Sequence, residues 1–256
     1  MTSALTLHVV TPVTGVSLPH APALAADLGP GVSVTCSRIE HGPASIECEL
    51  DEALAVPGTI AEVKAAAEAG ADAVVINCMG DPGLAAAREL ASIPVLGTAQ
   101  TSMHLAAMLG HRFTILTVLD QLIHVDEAKA AGYGLAGRLA SVRSVGIPVL
   151  GLGDDTGRLI AALTEQGLRA VHDDGAHVLI LGCTGMLGLA AELAAALAGQ
   201  GLPDVPVIDP LPATLQVAAA LARSGLSQSK RTYPDPPAKH RPGYAAVLGL
   251  SPARAG

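Results

Sequence analysis

Two segments of this chain read alike, and each places a cysteine directly after an apolar run. They are Ala-Asp-Ala-Val-Val-Ile-Asn-Cys-Met-Gly, which ends at Gly80, and Ala-His-Val-Leu-Ile-Leu-Gly-Cys-Thr-Gly, which ends at Gly185. Such runs predict parallel strands that are covered on both faces, and ligands of such sheets bind just beyond the carboxyl ends of the strands. The sequence therefore predicts that chemistry takes place at Cys78 and Cys183.

The similarity continues beyond the cysteines. Residues 84–90 (Leu-Ala-Ala-Ala-Arg-Glu-Leu) correspond to 189–193 (Leu-Ala-Ala-Glu-Leu), and 94–97 (Pro-Val-Leu-Gly) correspond to 206–209 (Pro-Val-Ile-Asp). Chance convergence is the alternative, because valine-rich strands followed by alanine-rich helices are common. A duplication predicts an α/β fold of two pseudo-symmetric lobes, each a small, mostly parallel sheet flanked by helices, with the cysteines on opposite walls of the cleft between them.

The order of the predicted elements divides the chain into two lobes and a tail. We expect lobe I to comprise residues 1–97 plus 209–226, lobe II to comprise residues 98–208, and residues 227–256 to form an extended C-terminal arm. The arm is rich in proline and shows no clear periodicity.

Local patterns give three further predictions. Residues 51–70 predict a helix that is interrupted at 56–58, where a proline and a glycine follow each other. Residues 147–150 predict a strand, and 186–198 predict a helix. Since a helical pattern follows each cysteine, both sulfurs are expected near helix N-termini, which favour the thiolate.

Composition narrows the possible partners. The hydrophobic share is 50 % but the aromatic share is only 2 %, which predicts a pocket with aliphatic walls. The formal net charge of −8 and the lack of Lys/Arg clusters argue against nucleic acid and membranes as partners, and favour a small-molecule substrate. The apolar stretches are shorter than a membrane span and no secretory signal opens the chain, so a cytoplasmic protein is expected.

The spacing of the cysteines and histidines does not predict a metal site. The four cysteines include no Cys-x-x-Cys pair, which favours free thiols in a reducing compartment. The closest histidine pairs lack the i, i+4 spacing that places two ligands on one helical face, so no bound metal is expected. Asp81 and Asp209 are predicted to cap helices or to orient a cysteine. Arg88 and Arg112 are predicted to be solvated.

Longer motifs are more specific. They are Gly42-Pro-Ala-Ser-Ile-Glu47, Cys78-Met-Gly-Asp-Pro-Gly-Leu84 and Leu181-Gly-Cys-Thr-Gly-Met186. With them the chain resembles, essentially from end to end, the hydantoin racemases of the aspartate/glutamate racemase superfamily. The resemblance implies an isomerase without any cofactor, in which Cys78 and Cys183 exchange the proton at the stereocentre of a 5-substituted hydantoin. A homo-oligomer is also expected.

The resemblance also implies substrate-binding residues beside the cysteines and in neighbouring loops. The backbone amides next to the cysteines would hold the oxygen of the enolate that forms when the proton leaves. Position 79 is a methionine where the family frequently has an aromatic residue. The implied substrate-binding residues are Val13, Thr14, Ser45, Met79, Gly80, Thr117, Thr184 and Gly185.

Inverting a carbon acid requires one group that removes a proton from one face and a second group that delivers a proton to the other face. A thiolate and a thiol meet this need. The same two-cysteine frame suits an allantoin racemase or an amino-acid racemase of the Asp/Glu type, and a non-catalytic small-molecule binding protein is a more remote alternative. A hydantoin is favoured over an amino acid because it carries no free carboxylate that would demand a basic residue.

Overall fold

Two parallel sheets organise the chain in a computed structural model, which describes residues 4–239, 241 and 243–244. The strands are β1 (Leu5–Thr11), β2 (Val32–Arg38), β3 (Ala73–Ile76), β4 (Val95–Gly97), β5 (Phe113–Thr117), β6 (Leu139–Ser144), β7 (Val178–Leu181) and β8 (Val207–Ile208). The first sheet has the order β2-β1-β3-β4 and the second has the order β6-β5-β7-β8. Every pairing is parallel. The repeat in the sequence thus corresponds to a repeat in the topology.

A helix follows each strand. The helices are α1 (Ala21–Asp27), α2 (Glu49–Glu68), α3 (Leu84–Leu90), α4 (Thr98–Leu109), α5 (Ile123–Gly132), α6 (Thr156–His172), α7 (Ala190–Gly199) and α8 (Pro210–Arg223). The prediction of an α/β fold with two similar lobes is confirmed. Within the described residues, every helix is too short or too polar to span a lipid bilayer.

The strands before the two cysteines are the most deeply buried part of each sheet. All residues of β3 and β7 are 0 % exposed. In β3, Ala73 and Val75 pack with residues of α1 and α8 on one face, while Val74 and Ile76 pack with residues of α2 and α3 on the other. These strands are covered on both faces, as their unbroken apolar runs predict.

The last helix of each repeat crosses to the other sheet. Helix α8, which follows the second sheet, packs Leu211 and Leu215 against residues of β1 and β3. Helix α4, which follows the first sheet, packs Ala99 and Met103 against residues of β5 and β7. The two helices also contact each other. This exchange ties the lobes together, and the residue boundaries given above for the lobes stay a prediction.

Three local predictions are wrong. Helix α2 runs through Pro57 without interruption, and the Gly58 that follows lies directly on Ile39, where a Cβ atom would come within 2.8 Å. Residues 147–150 are not a strand, since β6 lies earlier and Val149–Gly151 form a short 3-10 turn after Pro148. The helix predicted over 186–198 begins only at Ala190, after a separate 3-10 turn.

The described part of the C-terminal arm lies along the first lobe. The side chain of Gln228 accepts a hydrogen bond from the amide of Val95 at 3.1 Å and donates to the carbonyl oxygens of Ala91 and Ile93, each at 2.8 Å. Arg88 is not simply solvated, because its guanidinium lies 5.5 Å from the ring centre of Tyr233. Residues 240, 242 and 245–256 of the predicted arm lie outside the described residues.

We expect Gly182→Ala to destabilise the fold. A Cβ atom at Gly182 would lie 2.6 Å from the carbonyl oxygen of Leu116 and 2.7 Å from the Cα of Thr117, two residues of β5 that are fully buried. Overpacking of this kind costs ~2 kcal/mol, which a urea titration measures. Gly132→Ala is the control, because nothing lies within 4 Å of its Cβ position. Equal stability of the two variants would contradict this packing.

Candidate active site

The two cysteines follow equivalent strands of the two sheets. Cys78 lies just beyond the carboxyl end of β3 and Cys183 just beyond that of β7, and both line one cavity of about 600 Å³ between the lobes. The thiols are close enough for the charge of a Cys183 thiolate to raise the pKa of Cys78. Two thiols from opposite lobes therefore share one cleft.

Each sulfur accepts a hydrogen bond from the amide two residues later. The amide of Gly80 donates to Sγ of Cys78 at 3.3 Å, and the amide of Gly185 donates to Sγ of Cys183 at 3.4 Å. A side chain at either glycine would crowd the site, because a Cβ at Gly80 would lie 3.0 Å from Oε2 of Glu52 and one at Gly185 would lie 3.0 Å from Leu152. The two half-sites thus repeat one local geometry.

Burial decides the protonation of the thiols. Each cysteine is only partly exposed to the cavity, and burial raises the pKa of Cys78 to about 12 and that of Cys183 to about 11, against which the single amide bond to each sulfur is the weaker effect. The expectation of a helix N-terminus beside each sulfur is met in part: Cys183 is the N-cap of the 3-10 turn Thr184–Met186, while the α-helices α3 and α7 begin only at Leu84 and Ala190.

Aliphatic side chains from both lobes form most of the cavity wall. Leu18, Leu150 and Leu187 stand at its mouth and are 40 %, 52 % and 36 % exposed. No Lys or Arg lines the cavity in the part of the chain that the structure describes. The remaining side chains that line it are those of Thr11, Val13, Val16, Ser17, Pro19, His20, Ile46, Asn77, Val149, Leu152 and Thr184.

Some residues of the predicted substrate-binding set lie away from this cavity. Three of the eight, Val13, Thr184 and Gly185, line it. Met79 points instead into the core between the lobes, where it is 5 % exposed. The others that do not line the cavity are Thr14, Ser45, Gly80 and Thr117.

These four residues have other contacts. Thr14 donates through both its amide and its hydroxyl to the carbonyl oxygen of Pro43, at 2.9 Å and 3.2 Å. Ser45 lines a separate depression beside α2. The amide of Gly80 is bound to the Cys78 sulfur. Thr117 is fully buried at the end of β5.

Polar contacts cross the cleft around the cavity. The hydroxyl of Thr184 donates to the carbonyl oxygen of Asn77 at 3.2 Å, so the residue before one cysteine is bound to the residue after the other. Oε1 of Glu47 accepts from the amide of Val149 at 2.7 Å and joins the loops at the cavity mouth. Asn77 was not among the predicted site residues, although its position directly before Cys78 is a signal for it.

Comparisons with known proteins agree with this geometry. A family model described as Asp/Glu/Hydantoin racemase matches residues 8–218. A hydantoin racemase of Pseudomonas sp. (strain NS671) is 40 % identical over 209 residues, which cover 81 % of this chain and 82 % of the relative. A hydantoin racemase of Rhizobium meliloti is 38 % identical over 212 residues, covering 82 % and 86 %.

The solved structure of an allantoin racemase from Klebsiella pneumoniae superposes with a TM-score of 0.84 at 33 % identity, covering 95 % of this chain and 98 % of that chain. The chain belongs to the Asp/Glu/hydantoin racemase family. It is therefore an isomerase, a racemase that acts on a small molecule, and the recognition made from its motifs is confirmed.

Asp81 of this racemase caps a helix that is distant in the sequence. Its carboxylate accepts from the amides of Ala99 and Gln100, in the first turn of α4, at 2.9 Å and 2.8 Å. The hydroxyl of Tyr133 in the other lobe donates to the same carboxylate at 2.7 Å. Burial raises the pKa of Asp81 to about 6, although these hydrogen bonds act in the opposite direction. Asp209, by contrast, accepts from the amide of Gly188 at 2.6 Å and does not cap α8 with its side chain.

A second buried acid of the racemase was missed in the sequence. Asp126 lies in α5, is 5 % exposed, and is near enough for its charge to raise the pKa of Cys183. Its charged neighbours Glu127 and Lys129 make this segment typical of a solvent-exposed helix face. Among the described residues, no group of three His, Cys, Asp or Glu side chains is placed to hold a metal ion.

We expect Asp81→Ala to destabilise the racemase by ~3 kcal/mol, because two helix amides and the Tyr133 hydroxyl would lose their acceptor. The backbone at this position has a φ of 48°, which asparagine tolerates better than alanine. Asp81→Asn is therefore the matched control and should lose clearly less in thermal unfolding. Equal losses in the two variants would show that the carboxylate does not hold the start of α4.

Proposed function

We propose that this racemase interconverts the enantiomers of 5-substituted hydantoins without a cofactor, using Cys78 and Cys183 as the two proton-transfer groups. The observation that carries the proposal is the pair of thiols, one from each lobe, that line one cavity without a Lys or Arg among the described residues. One thiolate removes the proton at C5 from one face of the ring. The other thiol delivers a proton to the opposite face, and their roles exchange for the other enantiomer.

The raised pKa of each thiol suits a weak carbon acid. A thiolate that is disfavoured by burial is a stronger base, so it is better matched to a proton bound to carbon than an ordinary thiolate would be. The same raised pKa means that only a small fraction of the enzyme molecules carry a thiolate at neutral pH. The ring amides of a hydantoin lower this cost, since they acidify the adjacent carbon.

The polar groups for the substrate ring lie beside the first thiol. The amides of Gly80 and Gly185 already donate to the sulfurs, so they are not free to hold the enolate oxygen as their position in the sequence predicts. Asn77 and Thr11 line the cavity and form only a long hydrogen bond of 3.4 Å with each other. We infer that these two side chains turn to the amide and carbonyl groups of the ring.

The charge around the thiols supports a neutral substrate over an amino acid. Glu52 and Asp81 are near enough to raise the pKa of Cys78, and Glu47 and Asp126 raise that of Cys183. A free α-carboxylate would enter a cavity that offers no Lys or Arg among its described lining residues. Its repulsion by these acids makes the Asp/Glu-type alternative the less favourable one.

The cavity mouth supports an apolar 5-substituent over the polar ureido group of allantoin. Leu18 of one lobe and Leu150 and Leu187 of the other are large apolar side chains left exposed at this one opening. Covering them with an apolar group removes that surface from water. An allantoin racemase is kept as the alternative because of the likeness to such an enzyme.

Two further expectations belong to this proposal. All four cysteines are free thiols, which supports a reducing, cytoplasmic setting. Homo-oligomeric assembly stays a prediction.

Replacement of either catalytic thiol should abolish racemisation. We expect Cys78→Ser and Cys183→Ser each to lower the rate on the order of 10³-fold, because each removes the proton carrier on one face. Each variant should retain slow exchange of the C5 proton with D₂O for one enantiomer, and the two variants should prefer opposite enantiomers. NMR of both enantiomers in D₂O measures this. Cys48→Ser, at an exposed cysteine, is the control. Near-normal racemisation by either variant would disprove the two-base proposal.

The substrate series should rank 5-isobutylhydantoin above allantoin, with free glutamate and aspartate poorest. Leu150→Ser should lower kcat/KM for 5-isobutylhydantoin by about tenfold, since one apolar contact is lost, and should leave 5-methylhydantoin nearly unaffected. Leu226→Ser is the control, because Leu226 is 57 % exposed but lies outside this cavity. Polarimetry follows every reaction, and comparable turnover of glutamate and 5-isobutylhydantoin would refute the substrate assignment.

A further inference from the structure

Cys78 is the first residue of a tight turn that Asp81 closes. The amide of Asp81 donates to the carbonyl oxygen of Cys78 at 3.0 Å, and inside this turn the amide of Gly80 donates to the sulfur at 3.3 Å. The backbone of Asp81 is left-handed, with a φ of 48°, which a residue other than glycine keeps only where further contacts hold it. The position of the sulfur therefore depends on what holds Asp81.

The carboxylate of Asp81 is held from two directions in the fold. It accepts from the amides of Ala99 and Gln100, at the start of α4, at 2.9 Å and 2.8 Å. It lies so close to Gly97 that a Cβ atom there would collide with it. The hydroxyl of Tyr133 donates to Oδ2 of the same carboxylate at 2.7 Å. Tyr133 is thus the partner that reaches the turn through a side chain.

Tyr133 belongs to the lobe of the second sheet. It directly follows α5, which packs on β6, and its amide donates to the carbonyl oxygen of Lys129 at 2.9 Å, so the two side chains share one helix face. Nζ of Lys129 binds Oε2 of Glu52 at 2.9 Å, and this oxygen would lie 3.0 Å from a Cβ atom at Gly80. One face of α5 therefore reaches the Cys78 turn twice, through Tyr133 and through the Lys129–Glu52 pair.

The equivalent turn at Cys183 ends in a different residue. The amide of Met186 donates to the carbonyl oxygen of Cys183 at 3.0 Å, which matches the bond made by Asp81. Met186 has no carboxylate, is fully buried, and packs with Leu181 in the core of the second sheet. The last residue of the Cys183 turn is anchored within its own lobe, whereas the last residue of the Cys78 turn is anchored in part by the other lobe.

We propose that Tyr133 is a positioning residue for Cys78: its hydroxyl ties the turn that carries this sulfur to the opposite lobe and so fixes the sulfur relative to the substrate carbon. The proposal rests on the proposed function, because it gives Cys78 a role in proton transfer. A misplacement of about 1 Å can lower a rate by about 100-fold, so a loosened turn has a measurable effect. The hydrogen bond from Thr184 to Asn77 also crosses the cleft, and removal of the Tyr133 hydroxyl leaves it in place.

The test removes only this hydroxyl, by Tyr133→Phe, in each of the two single-thiol variants. In Cys183→Ser, where Cys78 is the surviving thiol, Tyr133→Phe should slow exchange of the C5 proton of 5-isobutylhydantoin with D₂O about tenfold. In Cys78→Ser, where Cys183 survives, exchange should change by less than about twofold. NMR measures both rates after subtraction of the enzyme-free rate. A role in overall stability alone would lower both rates alike or neither.

Tyr233→Phe is the matched control. Its hydroxyl is also half-buried and hydrogen-bonded, since it accepts from Arg88 at 3.3 Å, but it lies on the C-terminal arm. This variant should leave exchange unchanged in both single-thiol proteins. Equal losses from Tyr133→Phe in the two proteins, an unchanged rate in Cys183→Ser, or the same loss from Tyr233→Phe would overturn the proposal.

Amide hydrogen exchange tests the turn without any substrate. In Tyr133→Phe with both cysteines intact, mass spectrometry should show about fivefold faster exchange in the peptide that carries the amides of Gly80 and Asp81, because both are bonded within the loosened turn. The peptide that carries the amides of Gly185 and Met186 should exchange as in the wild type.

The same measurement separates this proposal from the proposed function. An unchanged Cys78 peptide, or an equal change in both peptides, would overturn the role of Tyr133. Absence of hydantoin exchange in both single-thiol variants, with the amide pattern as expected, would refute the proposed function and leave Tyr133 as the residue that holds the Cys78 turn.

Discussion

Cys78 and Cys183 lie at the carboxyl ends of two fully buried strands, where the surrounding protein shields both sulfurs from water. This desolvation raises the pKa of each thiol and makes each thiolate a stronger base. It also penalises any further negative charge in the cleft. The neutral ring of the proposed hydantoin substrate, the lack of a Lys or Arg among the described residues of the cavity wall and the aliphatic mouth are consistent with this one constraint.

Desolvation lasts only while the lobes stay together, and several contacts hold them. Helices α4 and α8 exchange sheets and pack on each other, which places apolar cores on both sides of the boundary. Polar contacts also connect the lobes along the edge of the cleft, among them the Glu52–Lys129 ion pair and the hydrogen bond between Glu47 and the amide of Val149. Each of these contacts joins the two lobes beside the thiols, so the packing that closes the cleft also keeps water from both sulfurs.

The repeated strand and cysteine could be predicted from the sequence because burial on both faces leaves an unbroken apolar run, as in β3 and β7. The two-lobed fold followed from that repeat. Protonation of the thiols could not be predicted, since it depends on how completely the folded chain buries each sulfur. The burial of Asp126 could not be predicted either, because its neighbours Glu127 and Lys129 make this part of the sequence typical of an exposed helix face, whereas Asp126 is only 5 % exposed.

Proton transfer by two thiols on opposite faces is tested most directly by the isotope content of the first product formed. A single enantiomer of 5-isobutylhydantoin is placed in D₂O with the wild-type enzyme, and both enantiomers are analysed at early conversion after subtraction of the enzyme-free rate. The two-thiol account predicts that the product carries solvent deuterium at C5 while the remaining starting enantiomer keeps its proton. A product that retains the original proton, or a starting enantiomer that exchanges as fast as product forms, would contradict it.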